Sequence, residues 1–165
     1  MSANRGAQLF SFDLISSLTV FMIFFTIFFF AYGQLKLQTA QATAAKDAQD
    51  TATFLSDELV RTPGIPANWT NTTVVTIGLA EEDGVLALSK LRALGNMSYQ
   101  NSTFFLVLGN FEYFLNLTAL NNATLFTYGW YPPQNITTVT PIKRMVLLHN
   151  DTGRQLAILR LIVWK

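Results

Sequence analysis

An α+β chain is predicted, in which a long N-terminal hydrophobic helix packs against a small antiparallel β-sheet head. Three observations predict it. Leu14 to Tyr32 are nineteen consecutive residues without a charge. Gln34 to Arg61 hold no proline or glycine and set Leu37, Ala40, Ala44, Ala48, Ala52, Leu55 and Leu59 at three- and four-residue spacings. Two β-rich runs, Lys143 to His149 and Arg154 to Trp164, flank Asn150-Asp151-Thr152-Gly153, a strong hairpin signal.

The first segment carries Phe21, Phe24, Phe25, Phe28, Phe29 and Phe30 and is apolar on every side, which a buried core helix of this length rarely is. As a helix it reaches about 28 Å, the hydrocarbon thickness of a bilayer. Ala31-Tyr32-Gly33 offers small residues for signal-peptide cleavage, but the segment is long for a signal peptide and the helical pattern runs on beyond it. One helix from about Asp13 to Arg61 is therefore expected, ended by Pro63, Gly64 and Pro66. Its alanine stripe lets a sheet approach closely, while Lys36, Lys46, Asp47, Asp50 and Asp57 mostly point elsewhere. The competing reading is a free-standing stalk or coiled coil, for which alanine makes a weak seam.

Beyond residue 63 the pattern predicts a short strand at Val74 to Leu79, a loop at Glu81-Glu82-Asp83-Gly84, and a short helix at Ser89 to Leu94 opened by a serine cap. A second short helix is expected over Ser98 to Leu108. Phe111, Tyr113, Leu115 and Leu117 alternate with Glu112, Phe114, Asn116 and Thr118, the period of a half-buried strand that places Asn116 on the outer face. Tyr128-Gly129-Trp130-Tyr131-Pro132-Pro133 reads as an aromatic loop that cannot be a central strand.

Half of the 165 residues are hydrophobic and only 13% are charged, against roughly 25% in soluble globular chains. Removing the apolar segment does not cure this deficit. Eleven basic and ten acidic residues form no basic block, which argues against a nucleic-acid partner. The absence of cysteine and a single histidine remove most thiol and zinc chemistry, so no enzyme, cofactor or metal is expected. What the head does have is asparagine. Eight N-x-S/T sequons fall between Pro66 and Thr152, at Asn68, Asn71, Asn96, Asn101, Asn116, Asn122, Asn135 and Asn150, where chance placement gives about two. The preference of Asn and Thr for turns and strand edges explains one or two of them. Eight predict an N-glycosylated extracellular surface in which glycans supply the missing solubility.

A short polar leader ending Arg5-Gly6-Ala7, a hydrophobic helix opening Gln8-Leu9-Phe10-Ser11-Phe12-Asp13, and then an extracellular domain resemble an archaeal type IV pilin-like protein with a class III signal peptide. Pro63-Gly64-Ile65-Pro66-Ala67-Asn68-Trp69, Gly78-Leu79-Ala80, Leu88-Ser89-Lys90-Leu91 and Leu161-Ile162-Val163-Trp164 are similar to segments of euryarchaeal pilin-like envelope proteins. The resemblance implies a leader at 1–7, a transmembrane or filament-core helix at 8–33, its amphipathic continuation at 34–62 and a head at 63–165. Arg5 would precede a prepilin-peptidase cut after Gly6 or after Ala7, the latter leaving Gln8 first. Bacterial pilins place a carboxylate at mature position five. Here the nearest is Asp13, at position seven or six, with two readings: pairing with a neighbouring subunit's new N-terminus, or a headgroup-level cap of the helix.

The implied function is a structural subunit, major or minor, of a cell-surface filament that serves attachment. It polymerises by moving the surface of Phe21, Phe24, Phe25 and Phe28 from lipid onto neighbouring helices. Its partners would be the membrane, the prepilin peptidase, the pilus assembly machinery and other pilin subunits. The alternative is a monomeric, single-span, glycosylated surface-binding protein that uses the helix only as an anchor. Trp130 and Tyr131 form either an adhesive surface or packing over the sheet end. Trp69 and Trp164 are assigned to core or edge packing, His149 to a structural position beside the hairpin, and Glu81, Glu82 and Asp83 to a solvated turn.

Overall fold

No proline occurs before Pro63, and the chain forms a single 57-residue helix, α1 (Arg5–Arg61), that passes through Gly33. The structure, a computed structural model, describes residues 5–136, 138–150 and 153–165, with side chains from residue 12 onward. The chain divides into two units, Met1–Thr43 and Ala44–Lys165. In the first, every described side chain, from Phe12 to Thr43, is exposed. Helix α1 begins eight residues before Asp13, the start predicted for it.

In the second unit α1 is followed by β1 (Gly64–Ile65), β2 (Thr76–Ile77), β3 (Ala80–Glu82), β4 (Val85–Ala87), α2 (Leu88–Gly95), α3 (Tyr99–Phe105), β5 (Glu112–Ala119), β6 (Thr124–Gly129), β7 (Val139–Asn150) and β8 (Gly153–Trp164). Strands β1 and β2 pair with each other, and the other six form one sheet in the order β3-β4-β7-β8-β5-β6. The sheet is antiparallel except where β4 runs parallel to β7. The β7–β8 hairpin runs from Val139↔Trp164 to Asn150↔Gly153, as the turn signal predicts. Pro141 is tolerated in β7 because β4 covers only Leu147 to His149, leaving the proline on a stretch that has no second neighbour.

The predicted alternation is realised. Tyr113, Leu115 and Leu117 of β5 and Ala157, Leu159, Leu161 and Val163 of β8 are buried on one face of the sheet, where Val146 and Leu148 of β7 join them. Against this face lie Ala52, Leu55 and Leu59 of α1 and Leu91 and Leu94 of α2. Arg144, also on β7, reaches α1, donating from Nε to Ser56 Oγ at 3.2 Å and pairing with Asp57 at 2.7 Å. Among the described residues no buried side-chain nitrogen or oxygen lacks a partner.

The end of α1 is tied by its own leftover carbonyls. Leu59, Val60 and Thr62 accept hydrogen bonds from the backbone amides of Leu79, Gly84 and Ala80, which satisfies acceptors that a helix C-terminus leaves open. This close contact leaves no room for a side chain at Gly78, where an added Cβ would overlap the Thr62 carbonyl.

Several expectations are corrected. The stripe on α1 is buried only from Ala48 onward, whereas Leu37, Ala40 and Ala44 are exposed. Of Val74 to Leu79 only Thr76 and Ile77 form a strand. The expected loop at Glu81 to Gly84 contributes to the β3–β4 hairpin, whose alternating backbone pairs Ala80 with Leu86. Helix α2 is capped at Ala87 without a side-chain bond, one residue before the leucine that opens it, so Ser89 is not the cap. Ser98 does cap α3, accepting from the Asn101 amide. That helix ends at Phe105, since Val107 has φ 52°, outside the helical region. Strand β6 was not anticipated; as an edge strand it accepts Tyr128 and Gly129 into the sheet while the following residues leave it.

Two truncations on α1 test where its packing begins. Leu55→Ala is expected to destabilise the head by ~2–5 kcal/mol, as for a fully buried leucine, and Leu37→Ala to change it by less than about 0.5 kcal/mol. Denaturant unfolding in detergent, followed through buried Trp69 and Trp164, makes the comparison.

Candidate functional site

The chain has one helix long and apolar enough to cross a membrane among its described residues, and none of its most apolar 18-residue stretch is buried. The phenylalanines form ladders at four-residue spacing. Phe21 and Phe25 rings lie 5.8 Å apart, Phe25 and Phe29 4.6 Å, and Phe28 stacks with Tyr32 at 6.4 Å. Phe24 is 69% exposed beside them. The polar side chains here look inward to their own helix. Ser16 and Ser17 donate to the Asp13 carbonyl, Thr19 to Ile15 and Thr26 to Met22. Between Leu14 and Ala31 no side-chain hydroxyl needs water, the condition for an apolar surrounding.

Asp13 lies two turns inside α1 and its side chain is exposed. The capping reading is therefore corrected, because no residue eight positions into a helix can serve its first orphan amides, and the dipole effect is confined to the first turn. Arg5, Gly6, Ala7 and Gln8 belong to α1, but their side chains lie outside the described set.

Six of the sequon asparagines, Asn68, Asn71, Asn96, Asn101, Asn122 and Asn135, are exposed, and Asn116 and Asn150 are half-buried. Asn116 sits on the outward face of β5, as predicted, with Nδ2 3.3 Å from Thr127 Oγ1. Asn96 is the C-cap of α2, and Asn122 has φ 64° in the β5–β6 turn. For Asn122 the tolerance of asparagine for positive φ is a sufficient local reason, whereas Asn96, at φ −85° and ψ −4°, has an ordinary helical backbone that requires no asparagine. Thr137 and Thr152, which complete the sequons at Asn135 and Asn150, lie outside the described residues together with Asp151.

Trp130 and Tyr131 are brought to a cleft of about 710 Å³. Gly129 delivers them: its φ of 91° and its position against the Tyr113 carbonyl exclude a Cβ. Trp130 meets the Tyr99 ring edge-to-face at 6.2 Å, and Tyr131 meets Phe114 in the same way at 5.3 Å. Both nonetheless remain about two-thirds exposed, at 67% and 64%, so packing over the sheet end accounts for only part of their surface. Trp69 and Trp164 are buried, as assigned.

The sequence pattern did not point to the polar half of this cleft. Tyr99 Oη donates to Glu112 Oε2 at 2.5 Å and accepts from the Tyr113 amide at 2.9 Å. Burial pushes the Tyr99 phenol well above its ordinary value, and the Glu112 bond adds to this, which keeps it a proton donor. Glu112 is the only carboxylate among the described lining residues, with Gln100, Ser98 and Thr103 nearby. Tyr99 and Trp130 are 31 positions apart, and only the docking of α3 beside β5 and β6 unites them.

A second cleft, of about 830 Å³, includes Lys90, Glu81 and His149. Lys90 is buried, with Nζ donating to the carbonyls of Pro63 and Ala80 at 2.7 and 2.6 Å. Desolvation lowers its pKa, opposed by the Glu81 charge. His149 Nδ1 lies 2.5 Å from Glu81 Oε2; an ionised carboxylate can only accept, so that nitrogen carries the proton. Among the described residues no cluster of three or more metal-binding side chains occurs. Glu81 and Glu82 each take a separate partner, the His149 imidazole and the Arg154 guanidinium respectively.

The hydrogen bond from His149 holds the Glu81 carboxyl below its ordinary value of 4.5. A carboxyl lowered on folding contributes stability above that value and loses it as pH falls through the lowered one. The stability difference between the native chain and Glu81→Gln is therefore expected to shrink below pH 4.5, measured as denaturation midpoints along an acid titration.

No protein family matches the chain, and no match is found among curated proteins or solved structures. Its architecture, a long N-terminal apolar helix with a β-sheet head, is compatible with a pilin-like fold.

Proposed function

We propose that the chain is a structural subunit of a type IV pilus-like surface filament of the archaeal kind, anchored in the membrane by α1 before assembly, with its head outside the cell. The carrying observation is the helical stretch from Leu14 to Ala31, in which every side chain is exposed and every hydroxyl is bonded to its own helix. Such a surface suits lipid, and it suits equally a bundle of identical helices. Transfer between the two exchanges one apolar surrounding for another, so specificity falls to shape and to the few polar groups.

Asp13 is the assembly group in this reading. A carboxylate deeper in lipid costs on the order of 2.5–3.5 kcal/mol, which favours a site at the interface or beside a partner's amine. The leader Arg5-Gly6-Ala7 would be removed by a prepilin peptidase, and the sequon asparagines would carry glycans that stand in for charge. Trp130 and Tyr131 belong to the attachment surface.

Mass spectrometry of the mature N-terminus from sheared surface material is expected to give a start at Ala7 or Gln8. Intact Met1 recovered only with membranes would favour the monomeric anchor instead, and a start near Gly33 would make the apolar stretch a removed signal. Asp13→Ala is expected to insert normally in the membrane and to be absent from the sheared fraction. Filaments built normally from that variant would remove Asp13 from assembly.

A further inference from the structure

The attachment surface has a more specific chemistry than exposed aromatic area. We propose that the cleft bounded by Trp130, Tyr131 and Glu112 is a saccharide-binding site that takes a single pyranose ring. This rests on the attachment part of the functional reading and is independent of polymerisation, so failure to bind sugar and failure to form filaments are separate results.

A pyranose has two kinds of surface, apolar C–H faces and a rim of hydroxyls, and the cleft offers a match for each. Trp130 and Tyr131 are each held by one edge-to-face ring contact and leave about two-thirds of their surface open. They are rigid apolar platforms that need little ordering on binding. Glu112 supplies the acceptor for adjacent hydroxyls. Its Oε2 is fixed by the Tyr99 phenol, and no described cation pairs with it. Gln100 adds an amide that donates and accepts, with the hydroxyls of Ser98 and Thr103 beside it. A volume of about 710 Å³ is in the range of small-molecule sites.

The composition of the lining separates this from two neighbouring chemistries. Glycoside hydrolysis uses two carboxylates, and the described lining has one, so the site binds rather than cleaves. A quaternary ammonium also seeks aromatic rings and a carboxylate, but it has no use for an amide and two hydroxyls. The saccharide comes either from a foreign surface or from glycans on another copy of this chain, since Ser98 and Thr103 themselves complete the sequons of Asn96 and Asn101.

The test uses the full chain in a polyoxyethylene detergent, whose head is neither a sugar nor an ammonium. Mannose, galactose and N-acetylglucosamine are titrated separately and followed by saturation transfer to their ring protons. Saturable binding of at least one is expected. It should disappear in Trp130→Ala, return in Trp130→Phe, and weaken about tenfold in Glu112→Gln. Unchanged near-ultraviolet signals from buried Trp69 and Trp164 establish that each variant is folded. Absence of saturable binding for all three sugars, binding that survives both Trp130→Ala and Glu112→Gln, or saturable binding of tetramethylammonium in place of sugar would each overturn the proposal. Comparing chain made with and without glycans separates the sources: equal affinity points to a foreign saccharide, and weaker binding by the glycosylated chain points to its own glycans occupying the cleft.

Discussion

The head depends on how the last turns of α1 end. Two of its carbonyls, at Leu59 and Val60, and that of Thr62 just beyond it are taken up by amides of the segment from Leu79 to Gly84, and Leu55 and Leu59 lie fully buried above the sheet. Neither contact suffices alone. The hydrogen bonds fix direction and register, and the apolar burial supplies most of the favourable free energy. Gly78 has no side chain because the two backbones meet there, and Arg144 adds a polar tie from β7 to Ser56 and Asp57. The surface pair with Asp57 contributes little by itself, since both side chains are more than a third exposed. Its consequence is positional, for β7 is the strand to which both β4 and β8 bond.

Polar chemistry in the head divides between its interior and its surface. Inside, Tyr113 donates to Ser102 at 2.8 Å and Lys90 donates to two carbonyls, so each buried donor has an acceptor close at hand. Such groups make one packing far better than its alternatives, because any other arrangement leaves a donor buried without a partner. Outside, few charges occur and the sequon asparagines are mostly exposed. The aromatic cleft combines both regimes, with Tyr99 and Trp164 as its ordered base and Trp130 and Tyr131 open to solvent.

Periodicity made much of this architecture legible. The alternation from Phe111 to Thr118 and the turn residues at Asn150 to Gly153 correctly anticipate β5 and the β7–β8 hairpin, because side chains on a strand obey a two-residue period whatever lies next to them. Helix α1 was visible from unbroken helix-forming sequence. Its burial was not: the stripe from Leu37 to Leu59 is regular throughout, yet only the part from Ala48 meets the head. Periodicity states which side can be buried and is silent on how far a partner extends. The cap at Ala87 was misread, β2 was predicted too long, and β1, β3 and β4 were missed; β1 pairs with β2 and β4 with β7, partners that the local pattern does not specify.

By itself, the sequence determined the apolar helix, the main hairpin, the shortage of charge and the excess of sequons, all properties of local spacing or composition. Only the tertiary structure decided that Glu112 and Tyr99 face Trp130, that Glu81 meets His149 across 68 positions, and that Asp13 stands too far inside its helix to cap it. The physical reason is the same in each case. A single residue's type reports what it can bond to, and the path of the backbone decides what is within reach.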